Sequence, residues 1–252
     1  MTNPIQVFSI VSSRADMILP QFEALCAHCT EPFQYIVVEN DRKDASRGII
    51  EHCEKNGLTC RSVVTIGITI PSDVHAAGIQ WVWDLLADRQ RPAVILDMDI
   101  FPLKPFRFRD YLQEDHYHLA GVAQSRGKIH YLWPGLLVIN CPKIVGELRF
   151  DAGRLNSIGG NTLVDAGGGL HWYLRDKDNP VRHLRSVGEP ETVRNWLPEP
   201  FRSRYEPAFD FQVIEDTWLH YRRASLWRGQ PDVKLDHPKR LLLADILRGT
   251  HP

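Results

Sequence analysis

The chain has 252 residues, of which 43% are apolar and 24% charged, with a formal net charge of −1. That length and balance suit a soluble globular protein with a sizeable core, and so nearly neutral a chain makes nucleic acid an unexpected partner. No apolar run reaches the roughly 20 residues of a membrane-spanning helix, so no transmembrane segment is expected.

In chain order, the first element is the strand-like IQVFSIVSS. The N-terminus runs straight into it without a basic stretch, so it reads as structure rather than as a signal peptide, and the default expectation is a cytoplasmic protein. DMILPQFEALCAHC places Ile18, Phe22, Leu25 and Cys29 at helical spacing, with Pro20 tolerable near the first turn. QYIVVEN is a second strand, ASRGIIEHCEKNG a helix stopped by Gly57, and CRSVVTIG a third strand. IPSDVHAAGIQWVWDLLADRQ predicts a helix with Ser72 as N-cap, Asp73 in the first turn, and Ala77, Trp81, Val82 and Leu85 on the buried face. PAVILDMD is a fourth strand, apolar throughout as a central parallel strand should be. The alternation argues for an open α/β sheet.

After Asp99 the pattern changes. HYHLAGVAQ and HYLWPGLLVIN read as strands, glycines crowd IGGNTLVDAGGG, LHWYLRD predicts a short helix, residues 176 to 210 read as loops, and KRLLLADILRG predicts a helix. The simplest partition is one domain over 1–252, with a nucleotide-binding half (1–100), a more irregular acceptor half (101–230) and a tail helix (231–252). Cys26 and Cys29 form a C-x-x-C, but it closes its helix instead of opening it, and Cys53 and Cys60 are spaced too widely to complete a zinc site.

Chemistry concentrates in AVILDMDIFPLKPF, from Ala93 to Phe106. Asp97 and Asp99, separated by Met98 at a strand end, can project to one side and offer hard oxygen ligands to a divalent cation. Two families carry such a stretch. Glycosyltransferases of the GT-A fold have four apolar residues and then Asp-x-Asp, which holds a metal and a sugar nucleotide. Phosphatases of the haloacid dehalogenase superfamily have a similar run whose first Asp is a nucleophile, normally on the first strand of the core. Here three β-α units come first, and Ile100 and Phe101 stand where the phosphatases want a small residue and then Thr or Val. A later acidic pair has only IED, Ile214 to Asp216, as its candidate.

By these features the chain resembles a GT-A glycosyltransferase. YLWPGLLVIN (Tyr131 to Asn140) is similar to the Asn-Ala-Gly strand of family 8 glycosyltransferases, and WLHYRRASLW (Trp218 to Trp227) to that family's late His-Tyr motif. The chain departs from the family at Trp133-Pro134-Gly135 and at Ser225-Leu226-Trp227. The resemblance implies a GT-A type open, mostly parallel mixed sheet flanked by helices. It also implies a nucleotide-diphosphate sugar as donor, a saccharide or other hydroxyl compound as acceptor, and Mn²⁺ or Mg²⁺ held by Asp97, Asp99 and His220, since the late His completes the metal shell in that family. An imidazole ligand would favour Mn²⁺.

Nucleotide contacts are expected at the strand ends, from Val11, Ser12, Arg14, Asn40 and Asp41, with Met98 inside the Asp-x-Asp turn. Ser72 and His75 would join them from a helix N-terminus. Arg222 and Arg223, with Arg228 beyond them, are candidates to clamp a diphosphate. Trp133, beside Gly135, is a stacking surface for an acceptor sugar or a core residue. Asp165, among glycines, is a candidate general base or a turn former. Two further readings stay open: a haloacid dehalogenase-like phosphatase, and a sugar-nucleotide-binding protein without catalysis.

Overall fold

The computed structural model describes residues 3–12, 14–40, 45–63, 65, 68, 70–151, 153–155, 162–176, 178–222 and 233–250. In chain order, β1 (Ile5–Val11) is followed by α1 (Ile18–His28), β2 (Phe33–Glu39), α2 (Ala45–Lys55), β3 (Thr59–Ser62) and α3 (Pro71–Trp81). Then come β4 (Ala93–Asp97), β5 (Ile100–Pro102), α4 (Phe108–Tyr111), β6 (Leu119–Arg126), β7 (Ile129–Ile139), β8 (Gly153–Leu155), β9 (Thr162–Val164) and α5 (Leu170–Arg175). β10 (Val181–Leu184), β11 (Ser186–Val187), α6 (Pro190–Trp196), α7 (Glu199–Arg202), β12 (Phe211–Ile214), β13 (Trp218–Tyr221) and α8 (Val233–Thr250) complete the chain. These elements form two compact units, each discontinuous in sequence. The first comprises Met1–Ala15, Glu31–Asp97 and Arg107–Leu184; the second comprises Asp16–Thr30, Met98–Phe106 and Arg185–Pro252.

The first unit is built on a seven-stranded sheet in the order β10-β6-β7-β4-β1-β2-β3. β1 runs parallel to β2 and β4, β2 to β3, and β6 to β10, while β7 is antiparallel to both β4 and β6. Every residue of β1 is buried, as is every apolar residue of β4. Burial on both faces explains why these strands read as continuous apolar runs. Phe8, Ile10, Ile79, Trp83, Ile95 and Leu137 belong to one core cluster.

Two sequence expectations are corrected here. Ser72 is not the N-cap of α3: Ile70 holds that position in extended conformation and Pro71 is the first helical residue. The missing N–H of Pro71 costs nothing there, and a residue before proline is driven to extended geometry. Leu85, expected on the buried face, is 69% exposed, whereas Val82 and Trp83 are buried. The cause is a wider π turn over Val82–Leu86, which breaks the 3.6-residue period. The third strand is also shorter than it reads, since β3 ends at Ser62.

The second unit carries a four-stranded antiparallel sheet in the order β11-β12-β13-β5. Its core is aromatic: Trp218 is fully buried with its ring 4.5 Å from that of Phe106, and Phe211 lies 5.7 Å from Tyr221. α1 contributes the buried Gln21, whose amide donates to the carbonyl of Ile100 at 2.9 Å. From α8, the buried Lys239 donates to the carbonyl of Arg222 at 2.6 Å and sits 3.8 Å from the Tyr221 ring centroid. Residues 176 to 210, read as loops, hold β10, β11, α6 and α7 instead. The strands there have at most four residues, too short to show a period, while α6 starts at Pro190 behind Glu189, which accepts from the backbone N–H of Glu191 and Thr192.

Candidate functional site

In the first unit the parallel strands β1, β2 and β4 end on one side, and such ends form the ligand crevice of open α/β sheets. Asp97 ends β4 in register with Ile10, and Val11 ends β1 in register with Glu39. The backbone N–H of Asn40 donates to the carbonyl of Val11 at 3.1 Å. One turn into α3, His75 brings Nε2 to 3.1 Å from Oδ1 of Asp97. Asn40 is 1% exposed and touches the same helix, with Nδ2 at 3.5 Å from the carbonyl of Val74. Gly78 permits that approach, because a Cβ there would lie 3.0 Å from Nδ2 of Asn40. Among the described residues, Oδ1 of Asn40 and Oδ1 of Asp73 are buried without a hydrogen-bond partner. Buried acceptors of this kind call for a polar ligand or water. Val11, Asn40, His75 and Asp97 therefore converge. Ser12 follows β1 half-buried, Arg14 is buried, and Ser72 is half-buried at the start of α3. Asp41 lies outside the described residues.

The chain passes into the second unit between Asp97 and Met98. Met98 and Asp99 are both buried. Pairing of β5 with β13 sets His220 opposite Ile100, and the Tyr221 N–H donates to the carbonyl of Asp99 at 2.8 Å. His220 Nε2 is consequently 3.6 Å from Oδ1 of Asp99. Its other ring nitrogen, Nδ1, lies 2.9 Å from Oε1 of Gln212, its pairing partner on β12. Sequence reasoning missed Gln212. No local signal marked it: the pairing follows from the hairpin register, in which Gln212 and His220 each lie four residues from Asp216, and Glu215 and Asp216 take positive φ (51° and 52°) in the connection. Arg222 is held by Asp210, with Nη1 to Oδ1 at 2.8 Å. Arg223, Ser225, Leu226, Trp227 and Arg228 lie outside the described residues. Among the described residues no group of three or more His, Cys, Asp and Glu side chains forms a metal cage. The donors come as pairs: His75 with Asp97 in the first unit, and His220 with Asp99 in the second.

The third group of candidates, also in the first unit, surrounds β7. Its pairing with β6 jumps from Gly121↔Leu137 to Val122↔Trp133, so Pro134, Gly135 and Leu136 bulge from that ladder. Proline has no N–H to give a ladder and favours such a place. Gly135 lies directly beneath the Trp133 indole, and a Cβ there would overlap the ring. Gly167, Gly168 and Gly169 make close contacts within the unit. Gly167 has φ +93°, and a Cβ on it would lie 2.6 Å from the Leu132 carbonyl and 3.0 Å from Pro134. A Cβ on Gly169 would lie 2.7 Å from the Arg149 carbonyl. These contacts seat Asp165 beside the Trp133–Gly135 bulge. Asp165 is half-buried, and its Oδ1 accepts from the N–H of Ala166 at 2.9 Å.

No protein-family model matches the chain, and no curated protein matches it either. Solved structures do share its architecture. The structure of the galactosyltransferase LgtC in complex with donor and acceptor sugar analogues aligns over 97% of this chain and 95% of that one, at 12% identity and a TM-score of 0.50. An active-site mutant of LgtC aligns over 55% of this chain and 58% of that one, at 14% identity and a TM-score of 0.37. The glycosyltransferase GlyE of Streptococcus pneumoniae TIGR4 aligns over 99% of this chain at 13% identity and a TM-score of 0.42, and the chain spans 63% of GlyE. At such identities the likeness is one of fold, and it rests on the LgtC complex. The fold is of the GT-A glycosyltransferase type, a mixed and mostly parallel sheet flanked by helices.

Proposed function

We propose that this chain is a glycosyltransferase that moves a sugar from a nucleotide-diphosphate donor to a saccharide or other hydroxyl acceptor. The observation that carries the reading is the convergence of Val11, Asn40, His75 and Asp97 at the strand ends of a GT-A type fold. LgtC, the fold relative, was solved with donor and acceptor sugar analogues.

Of the sequence candidates for Mn²⁺ or Mg²⁺, Asp99 and His220 lie together in the second unit, and their carboxylate and imidazole donors fit Mn²⁺ best. A bound divalent cation would offset the negative charge that gathers on the departing diphosphate. Arg222, with Arg223 beyond it, would add charge-assisted bonds to the same group. Trp133 offers an apolar face on which an acceptor sugar can stack, held in place by Gly135 and the bulge. Asp165 has one oxygen tied to Ala166; if the reaction inverts the anomeric carbon, its other oxygen takes the acceptor hydroxyl proton as that hydroxyl displaces the nucleoside diphosphate, and if it retains, Asp165 binds sugar hydroxyls. Five free cysteines, one of them exposed, support a reducing compartment such as the cytoplasm. The phosphatase reading is not favoured, because Asp99 runs straight into β5 and not into a flexible turn.

A thermal-shift screen of nucleotide-diphosphate sugars, with and without Mn²⁺, tests the proposal. A ligand at about 100 times its dissociation constant stabilises the folded state by about 2.7 kcal/mol. The result expected is one donor class that shifts unfolding more with Mn²⁺ than without. Shift with no transfer to any hydroxyl acceptor would leave a binding protein, and shift by none would remove the donor from the account.

A further inference from the structure

We infer that Gln212 is a positioning residue that holds His220 in the tautomer and orientation a metal ligand needs. This deepens the reading of Asp99 and His220 as metal ligands and rests on it. Three facts in the second unit lead there. First, Oε1 of Gln212 faces Nδ1 of His220 at 2.9 Å, which assigns the imidazole proton to Nδ1. Second, the amide is itself anchored, since Nε2 of Gln212 donates to Oγ of Ser186 at 2.7 Å. Third, the backbone registers fix all three side chains: Gln212 lies opposite His220 in the β12–β13 pair, and β11 flanks β12 at Ser186↔Ile214.

With Nδ1 carrying the proton, Nε2 presents a lone pair toward Oδ1 of Asp99, 3.6 Å away. A protonated imidazole would pair with Asp99 there, and a neutral one offers its lone pair to a cation shared with the carboxylate. Two ligands each about 2.1 Å from one ion stand roughly 3–4 Å apart, so this spacing suits a shared divalent cation. A histidine ligand normally donates its second N–H to a fixed acceptor, and losing that acceptor typically weakens metal binding about 10- to 100-fold. In this chain the chain of contacts runs Ser186–Gln212–His220, entirely through side chains of one small sheet.

The test compares the unaltered chain with Gln212→Leu and Gln212→Glu. Mn²⁺ affinity is read by paramagnetic resonance of the free ion, and the His220 tautomer by ¹⁵N resonance of the metal-free protein. The result expected is Nδ1 protonation in the unaltered chain, loss of that tautomer in Gln212→Leu, and Mn²⁺ affinity about 10- to 100-fold weaker. Gln212→Glu, whose carboxylate also accepts from Nδ1–H, restores both, which a merely structural glutamine would not allow. Mn²⁺ affinity in Gln212→Leu within twofold of the unaltered chain, or an Nε2-protonated imidazole in that chain, overturns the inference. Absence of any Mn²⁺ binding by the unaltered chain overturns the metal reading and with it the purpose given to Gln212. The nitrogen spectra separate that failure from failure of the Gln212–His220 contact. If Gln212→Leu does not fold, Ser186→Ala and Gln212→Glu carry the same comparison.

Discussion

Gly135 does its work through its missing side chain. The Trp133 indole occupies the space a Cβ would need, so Gly135→Ala must displace the ring or the bulge. Overpacking of this kind costs about 1–3 kcal/mol, measurable by urea unfolding. If Trp133 receives the acceptor, the same variant raises the acceptor KM more than it lowers kcat. A stability loss with unchanged acceptor kinetics would return Trp133 to the core. At Asp97 the forecast is opposite in kind. Asp97→Asn keeps the fold but weakens Mn²⁺-dependent donor binding at least tenfold, about 1.4 kcal/mol, by calorimetric titration. Both residues were legible as candidates, because Asp-x-Asp after an apolar run and Trp-Pro-Gly in a strand are local signals. What a sequence hides is the use of a glycine. Gly167 makes room for the Leu132 carbonyl, and nothing in the sequence says so.

His118 gives the chain a pH-dependent element in the first unit. Burial, reinforced by the positive charge of Lys143, holds its imidazole below the ordinary histidine pKa, and a hydrogen bond with Asn179 opposes the shift only in part. A depressed pKa favours the neutral form in the folded state. The associated stability is therefore complete above about pH 6.5 and is lost as the pH falls through the lower, folded-state value. Urea midpoints should drop on acidification from neutral pH, and drop less in His118→Gln. An equal slope in both proteins would remove His118 from the account. In the second unit the element that matters is β13. Trp218 is fully buried against Phe106, and Trp218→Ala should cost about 3–5 kcal/mol and loosen the strand that carries His220. Long elements such as β1, β4 and α1 were readable because apolar runs and helical spacing extend over many residues. β11 and α7, with two and four residues, are fixed by tertiary pairing and leave no period to read. The π turn after α3 escaped for a related reason: one widened turn shifts Leu85 outward without any marker such as proline or glycine.

For the whole molecule, the order of elements carried most of the information. Three β-α units ahead of the Asp-x-Asp strand separated the GT-A arrangement from that of the phosphatases, and the sheet order β10-β6-β7-β4-β1-β2-β3 agrees with it. The division into two discontinuous units was not legible, since it arises from contacts between segments far apart in sequence. Neither was the Gln212–His220 contact, which depends on a hairpin register. The central claim concerns which bond the protein breaks, and the soluble products of one incubation report on it most directly. The chain would be incubated with the nucleotide-diphosphate sugar that stabilises it best, Mn²⁺ and a panel of hydroxyl acceptors, and the products read by mass spectrometry. The account predicts an intact nucleoside diphosphate together with a glycosylated acceptor, and neither product from Asp97→Asn. Inorganic phosphate released from simple phosphate esters, with a phosphorylated Asp97 in the chain, would contradict it.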